Sequence, residues 1–262
     1  MNIQLEGRNA LVCGSTQGIG LAIAMQFAEM GANVTLLARN EESLQKAIAG
    51  LPDNGSQAHS ILVADFSEPL QVLATIENHL AKVQKFHILV NNTGGPAPGP
   101  VHKAKTEDFL KALTQHLFAS QHLVQALLPG MKEEKFGRII NIISTSVKQP
   151  IEGLGVSNTV RGAMASWAKT LATEVAEFGV TVNNILPGAT TTDRLAQIIT
   201  NKSKAGKVEE DIVQKEMLKE IPAKRFAKPE EIAFLAGFLA SKLAGYITGT
   251  SIAVDGGRTR CL

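Results

Sequence analysis

The chain has 262 residues, 44% hydrophobic and 19% charged, with 26 Lys and Arg against 24 Asp and Glu for a net charge of +2. That length suits one large domain with a sizeable core, and the composition excludes a disordered chain. The charge balance gives no basic field that would argue for a nucleic-acid partner.

Two cysteines, Cys13 and Cys261, are too few for a disulfide framework or a structural zinc site, so no metal is expected. Residues 1–6 lack a basic region followed by an apolar run, so no signal peptide is expected. The most apolar late stretch, 232–240, is far too short to span a bilayer. The expectation is a cytoplasmic protein with no membrane partner.

In chain order, apolar runs at 10–13, 33–38, 60–64, 87–90, 138–143, 181–186 and 251–254 predict seven strands. Helical stretches begin between them near Gly18, Glu41, Glu68, Thr106, Ser157 and Pro229. The strand segments are Val-, Ile- and Leu-rich without strict alternation, as strands buried on both faces are. Alternating strands and helices imply right-handed βαβ units. The predicted fold is α/β: a single Rossmann-like, doubly wound domain over 1–262, with a seven-stranded parallel sheet and helices on both faces. Between Pro187 and Pro229 the rhythm breaks, leaving only charged helical stretches such as 208–219. A connection that long points to a substrate lid at about 188–228, set against a plain surface excursion.

The first strand runs into Gly14-Ser15-Thr16-Gln17-Gly18-Ile19-Gly20, which opens the first helix. Glycines there permit a tight turn and close approach of a pyrophosphate, whose charge meets the free N–H groups of the helix N-terminus. At the end of the second strand a carboxylate would favour NAD by binding the ribose 2′-hydroxyl. This chain has Ala38-Arg39-Asn40 instead. A guanidinium in place of that carboxylate suits a 2′-phosphate, so NADP is expected over NAD.

These features, with Asp65 after strand three, Asn91-Asn92-Thr93-Gly94 after strand four and Asn141-Ile142-Ile143-Ser144 on strand five, resemble the short-chain dehydrogenase/reductase family. Pro187-Gly188 with Thr192, and Val254-Asp255-Gly256-Gly257, extend the resemblance over nearly the whole chain. Within the family the likeness is to bacterial 3-oxoacyl-acyl-carrier-protein reductases. The resemblance implies that Asp65, with Phe66 beside it, binds the adenine, and that Asn91 lines the adenosine side, followed by Thr93 and Gly94. Pro187, Gly188 and Thr192 would hold the nicotinamide amide. It also implies a homotetramer or homodimer built through the fourth and fifth helices and the last strand. Leu123, Leu127, Trp167 and Leu171 are apolar residues there that suit either a bundle or an intrachain core. Two scaffold positions differ from the family: Cys13 stands for the usual threonine and Thr93 for the usual alanine. Thr93 is expected to supply the hydroxyl lost at position 13.

The chemical end differs more. Family members use Asn, Ser, Tyr and Lys. Here the serine is Ser144, but the family spacing puts Ser157 at the tyrosine position, Arg161 at the lysine position and His116 at the asparagine position. Tyr246, the chain's single tyrosine, precedes the last strand and is no shifted copy. Hydride delivery to a carbonyl leaves an alkoxide that needs a proton; a phenol of pKa about 10 donates it well, and a serine poorly. Arg161, one helical turn after Ser157, keeps a positive charge for the nicotinamide ribose and for an alkoxide, but it does not shuttle protons. His116, or a water held by Ser144, Ser157 and Arg161, is the expected proton source.

The leading expectation is therefore an NADP(H)-dependent oxidoreductase acting on a carbonyl or hydroxyl of a small molecule or acyl thioester. The alternatives are a catalytically silent NADP-binding sensor or partner subunit, and a reductase of an activated double bond, whose chemistry needs no phenolic acid.

Overall fold

In the computed structural model, residues 3–82 and 85–261 are described; the first two residues of the segment 1–6 considered above lie outside them. Seven strands form one sheet: β1 (Asn9–Cys13), β2 (Asn33–Ala38), β3 (Ser60–Val63), β4 (Ile88–Asn91), β5 (Gly137–Ile142), β6 (Val180–Pro187) and β7 (Ser251–Val254). Their order is β3-β2-β1-β4-β5-β6-β7, and every pairing is parallel. The expected doubly wound α/β sheet is the observed one, with strand ends displaced by no more than a residue or so. The sheet grows outward in both directions from β1 and β4. The loops leaving these neighbouring strands therefore diverge, and a crevice opens at their carboxyl ends.

Helices α1 (Gly18–Glu29), α2 (Glu41–Ala49) and α9 (Pro229–Ala240) cover one face. Phe27, Ile23 and Leu239 are fully buried there against Val34 and Ile185. Helices α3 (Pro69–Leu80), α5 (Ala119–Glu133) and α6 (Gly155–Val175) cover the other, burying Ile76, Leu123 and Leu127 against Leu89 and Val182. Each such side chain contributes about 1.5–3 kcal/mol when removed from water, which is why these near-continuous apolar strands are stable only between two helical layers. Leu123, Leu127 and Leu171 belong to this chain's own core, and the Trp167 indole N–H donates to Gln121 Oε1 across α5 and α6 at 2.8 Å. The intrachain explanation of these four residues thus holds without a partner.

Two features depart from the expected elements, while the excursion before α9 is helical as expected. Helix α6 starts at Gly155, so Ser157 lies within its first turn rather than at its start. Helix α4 (Thr106–Leu113) joins α5 through a π-helical turn at Thr114–Phe118, centred on His116. The excursion before α9 contains two helices, α7 (Asp193–Gly206) and α8 (Glu210–Lys219), closed on each other around Leu195, Ile199 and Val213. Among the described residues, no helix is long and apolar enough to cross a membrane, and no three His, Cys, Asp or Glu side chains are grouped to hold a metal.

A row of amides crosses the sheet beneath the crevice. Asn91, Asn141, Asn184 and Ser251 are register partners on β4 to β7. Asn91 Nδ2 donates to Asn141 Oδ1 at 2.8 Å, Asn141 Nδ2 to Asn184 Oδ1 at 2.9 Å, and Asn184 Nδ2 to Ser251 Oγ at 3.0 Å. All three asparagines are buried; the bonds pair the amides of Asn141 and Asn184 fully and the Nδ2 of Asn91, whose Oδ1 is left without a partner.

Candidate active site

The loop after β1 is shaped by its glycines. Gly14 and Gly18 adopt φ of +57° and +56°, a region closed to most side chains. A Cβ on Gly20 would lie 2.1 Å from the Gly14 carbonyl oxygen, so only glycine lets α1 approach the loop this closely. Asn92, for which sequence reading assigns no separate role, pins the loop from just after β4: its Nδ2 donates to the carbonyls of Cys13 (3.2 Å) and Gly14 (3.1 Å).

Gln17 at the N-cap makes no side-chain cap, and the first turn of α1 (Gly18, Ile19, Gly20) holds no acid. Its N–H groups are left for an external anion. Ser15 Oγ, fully buried in the loop, has no hydrogen-bond partner. Thr16 and the exposed Gln17 complete the turn. A left-handed cradle, uncapped N–H groups and an orphaned hydroxyl together fit a dinucleotide diphosphate.

Where the adenosine end is expected, at the ends of β2 and β3, lies a cleft of about 350 Å³ lined by Arg39, Asn40, Val63, Ala64, Asp65 and Gln71. Arg39 is exposed and in no ion pair among the described residues. Asp65 Oδ1 accepts from the Ser67 N–H and hydroxyl at 2.8 and 2.7 Å. These bonds hold its carboxyl below the usual range, with the charges of Arg39 and Lys111 adding to them. It stays ionised, with Oδ2 outside the Ser67 bonds. Phe66 packs partly buried on the core of the α3 face. Asn91 corrects its expectation: its side chain is turned into the sheet toward Asn141 and is only 5% exposed, so it does not line the cleft.

At the other end, Pro187 closes β6. A Cβ on Gly188 would meet Asp255 Cα at 2.7 Å, so glycine lets the two strand ends pass. Thr192 caps α7 by accepting from the Leu195 N–H at 3.4 Å. Its methyl lies over Gly18, 3.2 Å from where a Cβ would be. The excursion therefore begins directly above the glycine loop.

At the chemical end, Ser144 follows β5 and caps a short turn, Thr145–Val147, by accepting the Ser146 N–H on its Oγ at 3.1 Å. Its own proton remains free to donate outward. Ser157 is partly exposed, one turn before Arg161 on α6. Arg161 is buried, and its Nη1 donates to the Ile142 carbonyl at 2.9 Å, two residues before Ser144. Burial, and then the charge of Arg194, push its pKa down to about 10, so it remains a cation at neutral pH. Gly94 is exposed in the loop after β4.

His116 corrects the expected proton source. It is 2% exposed, its Nδ1 is hydrogen-bonded to Thr93 Oγ1, and its Nε2 has no partner. Burial and the Arg161 charge lower its pKa to about 2, so near neutrality the ring is neutral and offers no imidazolium as the acid. Thr93 is correspondingly spent on His116 rather than on replacing the hydroxyl missing at Cys13; the buried thiol instead receives the Asn92 backbone N–H. The departures at positions 93 and 116 are one hydrogen-bonded pair. Tyr246 is fully exposed outside the site.

The histidine carries a stability signature. Below its ordinary pKa of 6.5 the unfolded chain takes up a proton that the folded chain refuses down to about 2. Stability from this group is therefore full above pH 6.5 and falls as the pH drops. In urea unfolding, His116→Asn is expected to lose about 2 kcal/mol less than the wild type between pH 8 and pH 5. Parallel curves for the two proteins would show that His116 is protonated in the folded state.

Comparison with known proteins accords with this geometry. A family model described as enoyl-(acyl carrier protein) reductase matches residues 14–259. The chain is 30% identical over 259 residues to the NADPH-dependent reductase BacG of Bacillus subtilis, covering 98% of this chain and 100% of that protein. It is 35% identical over 253 residues to the 3-oxoacyl-[acyl-carrier-protein] reductase FabG of Haemophilus influenzae, covering 97% and 98%. The crystal structure of L-sorbose reductase from Gluconobacter frateurii, complexed with NADPH and L-sorbose, aligns with a TM-score of 0.93 at 32% identity, covering 100% of both chains.

Proposed function

The chain belongs to the short-chain dehydrogenase/reductase family, and from that membership and its own cleft we propose that it is an NADPH-dependent reductase that works without a phenolic acid. The observation that carries the reading is the glycine cradle and the Arg39–Asp65 cleft, in line with a buried cationic Arg161 beside the end of β5. When bound, NADPH supplies the hydride. The chain's residues do the rest. The loop backbone and α1 hold the diphosphate, Arg39 the 2′-phosphate and Asp65 the adenine. Pro187, Gly188 and Thr192 position the nicotinamide. Ser144 donates its free hydroxyl to the reacting oxygen, and Arg161 stabilises the negative charge that develops there. With His116 neutral and Ser157 a weak acid, water held by Ser144, Ser157 and Arg161 supplies the proton. Residues 188–228 act as the lid, and the active unit is a homodimer or homotetramer.

The leading substrate is a carbonyl of a small molecule or acyl thioester. Reduction of an activated double bond is a second reading, favoured by one observation: the site has a strong cation but no acid titrating near neutrality. An enolate is far less basic than an alkoxide and is content with a cation and water. The test is NADPH consumption with 3-oxoacyl thioesters, simple ketones and conjugated enones. Binding of NADPH with no consumption across the panel would instead favour a silent sensor or partner subunit.

The cofactor choice has its own test. Arg39→Ala is expected to weaken NADPH binding about 10-fold and leave NADH binding unchanged, because it removes a charge-assisted pair to the 2′-phosphate alone. Equal effects on both cofactors, read by fluorescence titration, would remove Arg39 from that role.

A further inference from the structure

Two arginines share one spot at the chemical end. A methyl group placed on Gly95 would lie 3.5 Å from Arg194 Nη2 and 3.9 Å from Arg161 Nη2, in ordinary contact and without a clash. Arg194, in the first turn of α7, is held by donating from Nη2 to the Pro96 carbonyl at 2.8 Å. Arg161 is held by Ile142 and is only 8% exposed. Neither guanidinium is in an ion pair among the described residues. Asp193, the neighbour of Arg194, lines a separate groove with Gln197 and Thr200. His116 is neutral and adds no countercharge. Two like charges facing one point, one of them buried, are costly to keep without an anion between them.

We propose that the substrate carries a carboxylate, bound between Arg161 and Arg194 beside Gly95, so that the protein reduces an organic acid such as a 2-oxo or α,β-unsaturated acid. The inference rests on reading the cleft as a reductase site and narrows its substrate class. The carboxylate would sit outward of that point, over Gly95 and facing both guanidinium groups. Because Ile142 ties Arg161 to the end of β5 two residues before Ser144, the carboxylate sits next to the reacting carbon. The dinucleotide diphosphate is the other conceivable anion, but the uncapped N–H groups of α1 and the glycine cradle already receive it.

Calorimetric titration of the full chain with cinnamate and with cinnamamide, with and without NADPH, separates these sources. The two probes differ only in carboxylate against amide. Cinnamate is expected to bind at least about 10-fold more tightly than cinnamamide. Arg194→Met should erase that preference while NADPH affinity stays within about threefold, and Arg194→Lys should keep part of it. Equal or absent binding of the probes, or a preference that survives in Arg194→Met, overturns the proposal. So does a tenfold or larger loss of NADPH affinity in Arg194→Met, which would give the pair to the diphosphate. A wild-type protein that does not bind NADPH refutes the reductase reading separately, and the titration without NADPH still decides the carboxylate.

Discussion

Arg161→Met is expected to lower the rate of NADPH consumption by about 10²–10³-fold, the range seen when a preorganised donor to a developing oxyanion is removed. The reason is the position of the guanidinium. It is buried, fixed by Ile142 at 2.9 Å, and charged at neutral pH in spite of its burial. Among the described residues Tyr246, the chain's tyrosine, lies outside the site and His116 is neutral, so on the proposed reading Arg161 is the charge that meets the reacting oxygen beside Ser144. NADPH affinity should fall by no more than a few-fold, since on the proposed reading the glycine loop and the Arg39–Asp65 cleft would hold most of the dinucleotide. Arg161→Lys keeps the charge without the fork and should retain more of the rate. Single-turnover kinetics and fluorescence titration on the same preparations separate the two effects. An unchanged single-turnover rate in Arg161→Met would remove the residue from the chemistry.

The second large effect is on the cofactor. Gly20→Ala is expected to weaken NADPH binding by more than about 100-fold and to cost about 1–3 kcal/mol of stability, as overpacking of a tight contact does. The added carbon would sit 2.1 Å from the Gly14 oxygen and 2.7 Å from Asn92 Nδ2. It would strike both the loop and the side chain that pins the loop to β4. Helix α1 would have to move outward, taking with it the N–H groups proposed to receive the diphosphate. Circular-dichroism melting and NADPH titration test the two parts. A variant that binds NADPH like the wild type would show that the close packing of α1 on the loop is dispensable for the cofactor.

The sheet was legible in the sequence because strands buried on both faces leave Val- and Ile-rich runs that little else produces. The glycine loop was legible because its three glycines answer to left-handed turns and close approach. Features made by residues distant in sequence were not. Nothing local ties Thr93 to His116, so their departures from the family pattern read as separate events until the fold paired them. The π-helical turn at Thr114–Phe118 is a backbone hydrogen-bond pattern without a compositional mark. Arg194 was hidden in an excursion of mixed charge, where only the course of α7 shows that it turns back to Gly95. Asn91 misled because an asparagine at a strand's carboxyl end suits a cleft or a neighbouring strand equally well. A signal was available in Asn141 and Asn184, which also end or interrupt apolar strands and invite one another as partners.

That row of amides works as a ruler laid across the sheet. Sliding β5 by one residue would shift its carboxyl end by about 3.3 Å and set Asn141 beside Val90 and Asn183, or beside Asn92 and Ile185, breaking its bonds to Asn91 and Asn184. The two strand ends that carry Asn92 and Ser144 are thereby levelled to the same height. A misplacement of about 1 Å can cost 100-fold in rate, so the tolerance of the reaction is narrower than the smallest slip the ruler forbids. The glycine pocket and the serine that would meet the substrate are held in step by side chains that never touch either ligand.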